Sequence, residues 1–162
     1  MGGSIYLVAV GSNRRGRHGV PRAEVAAALR LLGGRAAPII ASAPLGPSTR
    51  TFANAAALIE TAEDPPALLA RLKAIERGFG RRGGRRWGAR VIDLDIVLWS
   101  GGAWRSATLT IPHPAFRVRA FVLTPASAIA PRWRDPQSGL TLRQLHARLT
   151  RSRAAPSRRR SA

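Results

Sequence analysis

The order of apolar runs along the chain predicts an α+β fold. It is the β-α-β-β-α-β ferredoxin-like sandwich, with helices packed on one face of a mainly antiparallel sheet. Three observations predict it. Residues 5–10, 52–61 and 91–99 are rich in β-branched or apolar residues with no helix breaker inside them. Two stretches with helical spacing separate these runs: Val25, Leu29 and Leu32, then Leu68, Leu69, Leu72 and Ile75. No internal repeat interrupts the order.

Taken in order, residues 5–10 form a strand that ends at the turn signal Gly11-Ser12-Asn13. Residues 14–18 make a basic loop. Pro21 suits a first helical turn, and Gly33-Gly34 stops that helix. Residues 36–42 read as a second strand, and Pro44-Leu45-Gly46-Pro47-Ser48-Thr49 as a stiff surface loop. Residues 52–61 are a third strand that carries Asn54 among alanines. Asp64-Pro65-Pro66 supplies an N-cap and a proline-rich first turn for the second helix, with Glu76 near its end. Gly78, Gly80, Gly83 and Gly84 alternate with Arg77, Arg81, Arg82, Arg85 and Arg86, which predicts a flexible cationic loop leading into the last strand. Beyond it come a hairpin turn at Ser100-Gly101-Gly102, the Pro112-His113-Pro114 segment and a short turn or helix over 116–119. Residues 121–131 form a compact apolar stretch, and Leu140, Leu142, Leu145 and Leu149 mark an amphipathic helix. The expected organisation is one domain over 1–150 and a disordered basic tail over 151–162.

At 162 residues, 45% of them hydrophobic, the chain suffices for one domain with a proper core. No apolar run approaches the roughly 20 residues of a membrane helix, there are no cysteines, and the lack of a charged n-region followed by an apolar h-region leads to the expectation of no secretory signal. A cytoplasmic protein is the expectation. The net charge of +19 predicts affinity for anions such as nucleotides, nucleic acid or acidic lipid.

The last strand concentrates the chemistry. Side chains on a strand alternate, so Ile92, Leu94 and Ile96 face a core while Asp93 and Asp95 face the other way, one pleat repeat apart. An Asp-x-Asp triplet is a weak pattern, and most such acids are simply solvated. Here the pair belongs to only eight acidic residues set among twenty-seven basic ones, just after a Gly/Arg segment suited to receive a phosphate. Two like charges this close call for a cation, and Mg²⁺ binds through one or two carboxylates plus substrate phosphates. Carboxylates, arginines and a Pro-flanked histidine together imply transfer of a phosphorus group from a nucleotide, with arginine forks meeting the developing charge. No P-loop pattern is present.

Arg86-x-Gly88-Ala89-Arg90-x-x-Asp93-Leu94-Asp95-Ile96-Val97 resembles the signature of the 6-hydroxymethyl-7,8-dihydropterin pyrophosphokinase family. Gly11-Ser12-Asn13, Asn54 after Phe52, Ile75-Glu76, Pro112-His113-Pro114 and Arg119-x-Phe121-Val122-Leu123 are similar to that family in the same order, so the likeness spans residues 4–131. It implies ATP-dependent diphosphoryl transfer to the pterin hydroxymethyl group with release of AMP, in folate biosynthesis. By the same resemblance Asp93 and Asp95 would hold two Mg²⁺ ions, and Arg81 and Arg90 would act with them in catalysis. Glu76, Arg81, Trp87, Arg90, Ile96, His113 and Arg119 would contact ATP. Ser42, Leu45, Phe52, Asn54, Trp87 and Phe121, with the two aspartates, would hold the pterin. A flat bicycle between Phe52 and Phe121 gains about 0.5–1.5 kcal/mol per stacked pair beyond burial, and the Asn54 amide can read its polar edge. Ser42, Leu45 and Arg117 are evenly balanced between site and packing. Ala89 stands where most members carry proline, Thr108 where some carry arginine, and the tyrosine often found before the Pro-rich loop is missing.

Two rival readings are a homologue that binds pterin and nucleotide without transferring, and a basic nucleic-acid-binding module. Against the second, aromatics do not alternate with arginines on one strand face as a stacking platform requires. The expected partners are therefore the small molecules ATP and hydroxymethyldihydropterin, with neither membrane nor nucleic acid, and the chain is expected to act as a monomer.

Overall fold

The computed structural model describes residues 2–42, 51–80 and 90–154. Strand β1 (Ser4–Ser12) lies in the middle of a five-stranded sheet, paired with β4 (Phe52–Thr61) on one side and β5 (Asp93–Trp99) on the other. The short strands β2 (Arg35–Ala36) and β3 (Ile40–Ser42) both pair with the outer edge of β4, and every pairing is antiparallel. The reading of 36–42 as one strand is corrected: Pro38 has no N–H to give a ladder and divides the segment in two. Helices α1 (Pro21–Leu32) and α2 (Pro65–Phe79) connect β1 to β2 and β4 to β5, which gives the ferredoxin-like order expected.

Local chemistry sets the boundaries. Both helices begin on proline, and the Asp64 side chain accepts the Ala67 N–H at 2.9 Å as the N-cap of α2. After α1 the chain turns through Gly34 at φ +74°, where a Cβ would also collide with the Leu58 carbonyl.

Helices cover both faces of the sheet, where one was expected. Tyr6, Val8, Val10, Ala55, Ala57, Leu94 and Ile96 pack with Val25, Ala28, Leu68 and Leu72 under α1 and α2. The opposite face places Leu7, Ala56, Val97 and Leu98 against Phe116, Leu123, Ile129, Leu142 and Leu145. Those last residues belong to a 3-10 turn (Phe116–Val118), to α3 (Ala120–Ile129) and to α4 (Leu142–Ala154). A bulge makes this possible on β5: Leu7 pairs with Leu98 and Val8 with Ile96, so Val97 is the extra residue, and both it and Leu98 join the second cluster. Helix α3 contains Pro125, which hides it from a sequence reading, and α4 runs past residue 150 to Ala154, into the stretch expected to be tail. A separate hairpin of β6 (Trp104–Arg105) and β7 (Thr110–Ile111) leads toward His113, whose backbone N–H donates to the Val97 carbonyl at 3.0 Å. No described helix is long and apolar enough to cross a membrane.

Candidate active site

The sheet register builds the floor of the site. Gly11 of β1 pairs with Asn54 of β4 on one side and with Asp93 of β5 on the other. One pleat further along, Ala9 pairs with Ala56 and with Asp95. Asn54 and Asp93 therefore flank a glycine, about 10 Å apart at two interstrand spacings. The central strand presents almost no side chain between them. Gly11 keeps this space open: a Cβ there would lie 3.0 Å from the Asn54 Oδ1.

Above this floor is a cavity of about 460 Å³ lined by Ala9, Val10, Gly11, Ser12, Asn13, Phe52, Asn54, Asp93, Asp95, Arg119, Phe121 and Val122. Phe52 at the start of β4 and Phe121 at the start of α3 remain 41% and 52% exposed, which is costly for large aromatic rings unless a ligand covers them. The Arg119 guanidinium lies 5.7 Å from the centre of the Phe121 ring.

A second cavity, about 330 Å³, lies along β5 and β7 and is lined by Lys73, Asp95, Ile96, Thr108, Thr110 and His113 among others. Asp95 lines both cavities. His113 accepts the Ala115 N–H on Nδ1 at 3.1 Å, which leaves the proton of the neutral ring on Nε2. Burial lowers its pKa and Arg119 lowers it further, with Asp95 opposing.

Glu76, at the end of α2, is buried and ties the pieces together. Its Oε1 accepts the Leu94 N–H at 2.9 Å, and its Oε2 accepts from Arg90 at 2.8 Å and Lys73 at 3.2 Å. Asp93 is held above the usual aspartate pKa. Withdrawal from water raises it most, then the charges of Glu76 and Asp95, against the pull of Arg90 and Lys73. No ion pair formed among the described residues uses Asp93 or Asp95.

This donor set fits Mg²⁺. Both ligands are hard carboxylate oxygens, their mutual repulsion favours a cation, and among the described residues no cluster of three or more His, Cys, Asp or Glu surrounds them. The remaining positions of an octahedral ion fall to water and substrate oxygens, as is usual for this metal.

A sequence profile of the family described as 7,8-dihydro-6-hydroxymethylpterin-pyrophosphokinase (HPPK) matches residues 7–131. The 2-amino-4-hydroxy-6-hydroxymethyldihydropteridine pyrophosphokinase of Pseudomonas aeruginosa is 39% identical in a 139-residue alignment that covers 80% of this chain and 82% of that one. The chain belongs to the HPPK family. Enzymes of the same name from Synechocystis sp. and Haemophilus influenzae are 42% and 44% identical over 64% and 55% of this chain. The matched stretch spans about half of those relatives' own length, 53% and 56%. Among solved structures, a crystal structure of an HPPK-DHPS in complex with substrates shares the fold over 94% of this chain and 45% of that one, with a TM-score of 0.73 at 13% identity.

Set on the HPPK fold, Phe52, Asn54, Asp93, Asp95, Arg119 and Phe121 come together around the larger cavity, and Asp95, Ile96 and His113 around the smaller. Ile96 does so while its side chain stays in the core. Glu76 and Arg90 line neither cavity as the chain stands; they pair with each other. Ser42 pairs with Phe52 at the edge of the sheet. Leu45, Arg81, Trp87 and Ala89 lie outside the described residues. Arg117 points away from the site and is bound to Asp135. The sequence reading missed Ala9, Asn13 and Lys73 as lining residues. Lys73 is the only lysine in the sequence, at i−3 from Glu76, and that isolation was the available signal.

Proposed function

We propose that this HPPK-family chain transfers diphosphate from ATP to the hydroxymethyl oxygen of 6-hydroxymethyl-7,8-dihydropterin and releases AMP. The acceptor O–H gives up its proton, its oxygen bonds to the β-phosphorus, and the bond from that phosphorus to the oxygen bridging to the α-phosphate breaks. The reaction resides in a single domain over residues 1–150, which α4 extends to Ala154.

The observation that carries this reading is Asp95, shared by two cavities of different chemistry, with Asp93 beside it. The larger cavity has two open aromatic rings and an amide, which suit a flat heterocycle with polar edges. The smaller has Lys73 and His113, which suit a polyphosphate. Two Mg²⁺ ions, when bound by Asp93 and Asp95, would neutralise phosphate oxygens and make the acceptor hydroxyl more acidic.

The chain's own residues do the rest. Phe52 and Phe121 orient the ring, and Asn54 selects its edge. Arg119 reaches from the pterin side toward the phosphates, and Arg90 stands by on the Glu76 carboxylate. Holding acceptor and donor at one shared carboxylate supplies the in-line positioning on which phosphoryl transfer depends.

The test is AMP release, expected only when both Mg²⁺ and the hydroxymethylpterin are present. Asp93→Asn and Asp95→Asn should each lose on the order of a thousandfold in rate, the several kcal/mol that metal-borne charge stabilisation contributes. A near-parental rate in either variant would refute the metal assignment. Pterin binding without AMP release by the unaltered chain would favour the non-transferring homologue.

A further inference from the structure

Outside the two cavities, among the described residues, Asp135 is a fully buried carboxylate that accepts five hydrogen bonds. Asp135 has 0% exposure and lies in the loop between α3 and α4, beyond the stretch that the family profile matches. Its Oδ2 accepts from Arg117 Nε at 2.6 Å, from Ser138 Oγ at 2.6 Å and from the Ser138 N–H at 3.3 Å. Its Oδ1 accepts from Arg117 Nη2 at 2.7 Å and from the Gln137 N–H at 3.0 Å. The loop that presents it is itself braced, since the Asp135 N–H donates to the Leu140 carbonyl at 2.8 Å and the Arg134 guanidinium to the Gly139 carbonyl at 2.8 Å. A bidentate arginine–carboxylate pair of this kind fixes orientation as well as charge.

Arg117 belongs to the 3-10 turn Phe116–Val118, and its guanidinium lies 4.6 Å from the centre of the buried Phe116 ring. That turn leads directly into Arg119. The Arg119 N–H donates to the Phe116 carbonyl at 3.3 Å, and the Arg119 carbonyl accepts from Val122 and Leu123 to start α3. Two guanidiniums two residues apart are thus sent to opposite sides. Arg117 lines a separate groove with Trp104, Pro112 and Gln137, while Arg119 lines the pterin cavity with Asp93 and Asp95.

We propose that Asp135 is a positioning residue for the transfer reaction: by holding Arg117 against Phe116 it fixes the turn that aims Arg119 into the site. The C-terminal segment is then part of the working site and not an appendage to it. This inference rests on the reading of Arg119 given above.

The experiment is a double-mutant cycle on the full chain, read as kcat/KM for ATP and for the pterin alongside the thermal midpoint. Asp135→Asn should lower kcat/KM by about tenfold in the unaltered background and by less than about twofold in Arg119→Ala, because a misaimed arginine and an absent one are equivalent. The midpoint should fall equally in both backgrounds. Arg117→Lys, which keeps the charge and loses the fork, should repeat the pattern and replaces Asp135→Asn if that variant does not fold. Equal kcat/KM losses in both backgrounds, or a lower midpoint with unchanged kcat/KM, would overturn the inference. If Arg119→Ala alone leaves kcat/KM unaltered, the role given to Arg119 is itself wrong, and that outcome is distinct from the other two.

Discussion

At the scale of single residues, the site owes its shape to Gly11. A methyl group there would meet the Asn54 oxygen at 3.0 Å, closer than ordinary contact, and would displace the amide by a few tenths of an ångström. Gly11→Ala should therefore raise KM for the pterin by about tenfold, the value of one displaced hydrogen bond, and leave KM for ATP unaltered. Steady-state kinetics with each substrate varied in turn checks this. Asp93 gives a second expectation. Its pKa is raised in the folded chain, so the folded state holds its proton to higher pH than the unfolded state, and stability falls as pH rises past about 4. In the absence of metal, Asp93→Asn should melt higher than the parent at pH 7. The difference should vanish below about pH 4, and added Mg²⁺ should stabilise the parent more than the variant. A melting series across pH, with and without Mg²⁺, decides it.

At the scale of elements, the alternation at the start of β5 was legible because a half-polar strand has a period of two, and the facing of Asp93 and Asp95 followed from it. The row Asn54–Gly11–Asp93 was not legible. It depends on the register of two strand pairs, which no single strand encodes. Helix α3 was missed for a different reason: its run Ala120–Ile129 is apolar around most of its circumference and holds a proline, so it shows neither a stripe nor a good propensity. What keeps the elements in place is Glu76, the tie between the end of α2 and the start of β5. Glu76→Gln retains an oxygen for the Leu94 N–H and leaves Arg90 and Lys73 without their countercharge. The expected cost is about 2 kcal/mol of stability, measurable by denaturant titration. The same variant should lower the Asp93 pKa, since one of the charges that raises it is gone.

At the scale of the whole molecule, the fold order, the strand bearing Asp93 and Asp95 and the amphipathic helix α4 could be read from sequence, while α3, the placing of helices on both faces and the burial of Asp135 and Glu24 could not. Asp135 and Glu24 are both fully buried, and an isolated carboxylate in a sequence is by default a surface residue. Only the fold brings Arg117 to one and His18 to the other. For Asp135 the consequence appears in the acid limb of stability. Arg117, Ser138 and the Gln137 N–H outweigh the cost of its burial and hold its pKa well below the usual aspartate range. A lowered folded pKa stabilises above the ordinary value of about 3.9 and is lost as pH falls below it. The midpoint gap between parent and Asp135→Asn should thus be full from pH 5 to 7 and narrow in more acidic buffer, as calorimetry would show.

The cavity floor is defined by what Ala9 and Gly11 lack. A larger side chain at Ala9, which is half-buried and borders the recess, would occupy that space while the packed core beneath stays as it is. Screens that rank mutants by solubility or heat resistance would pass such a dead molecule unremarked. Damage to this protein would go unnoticed until its product was assayed.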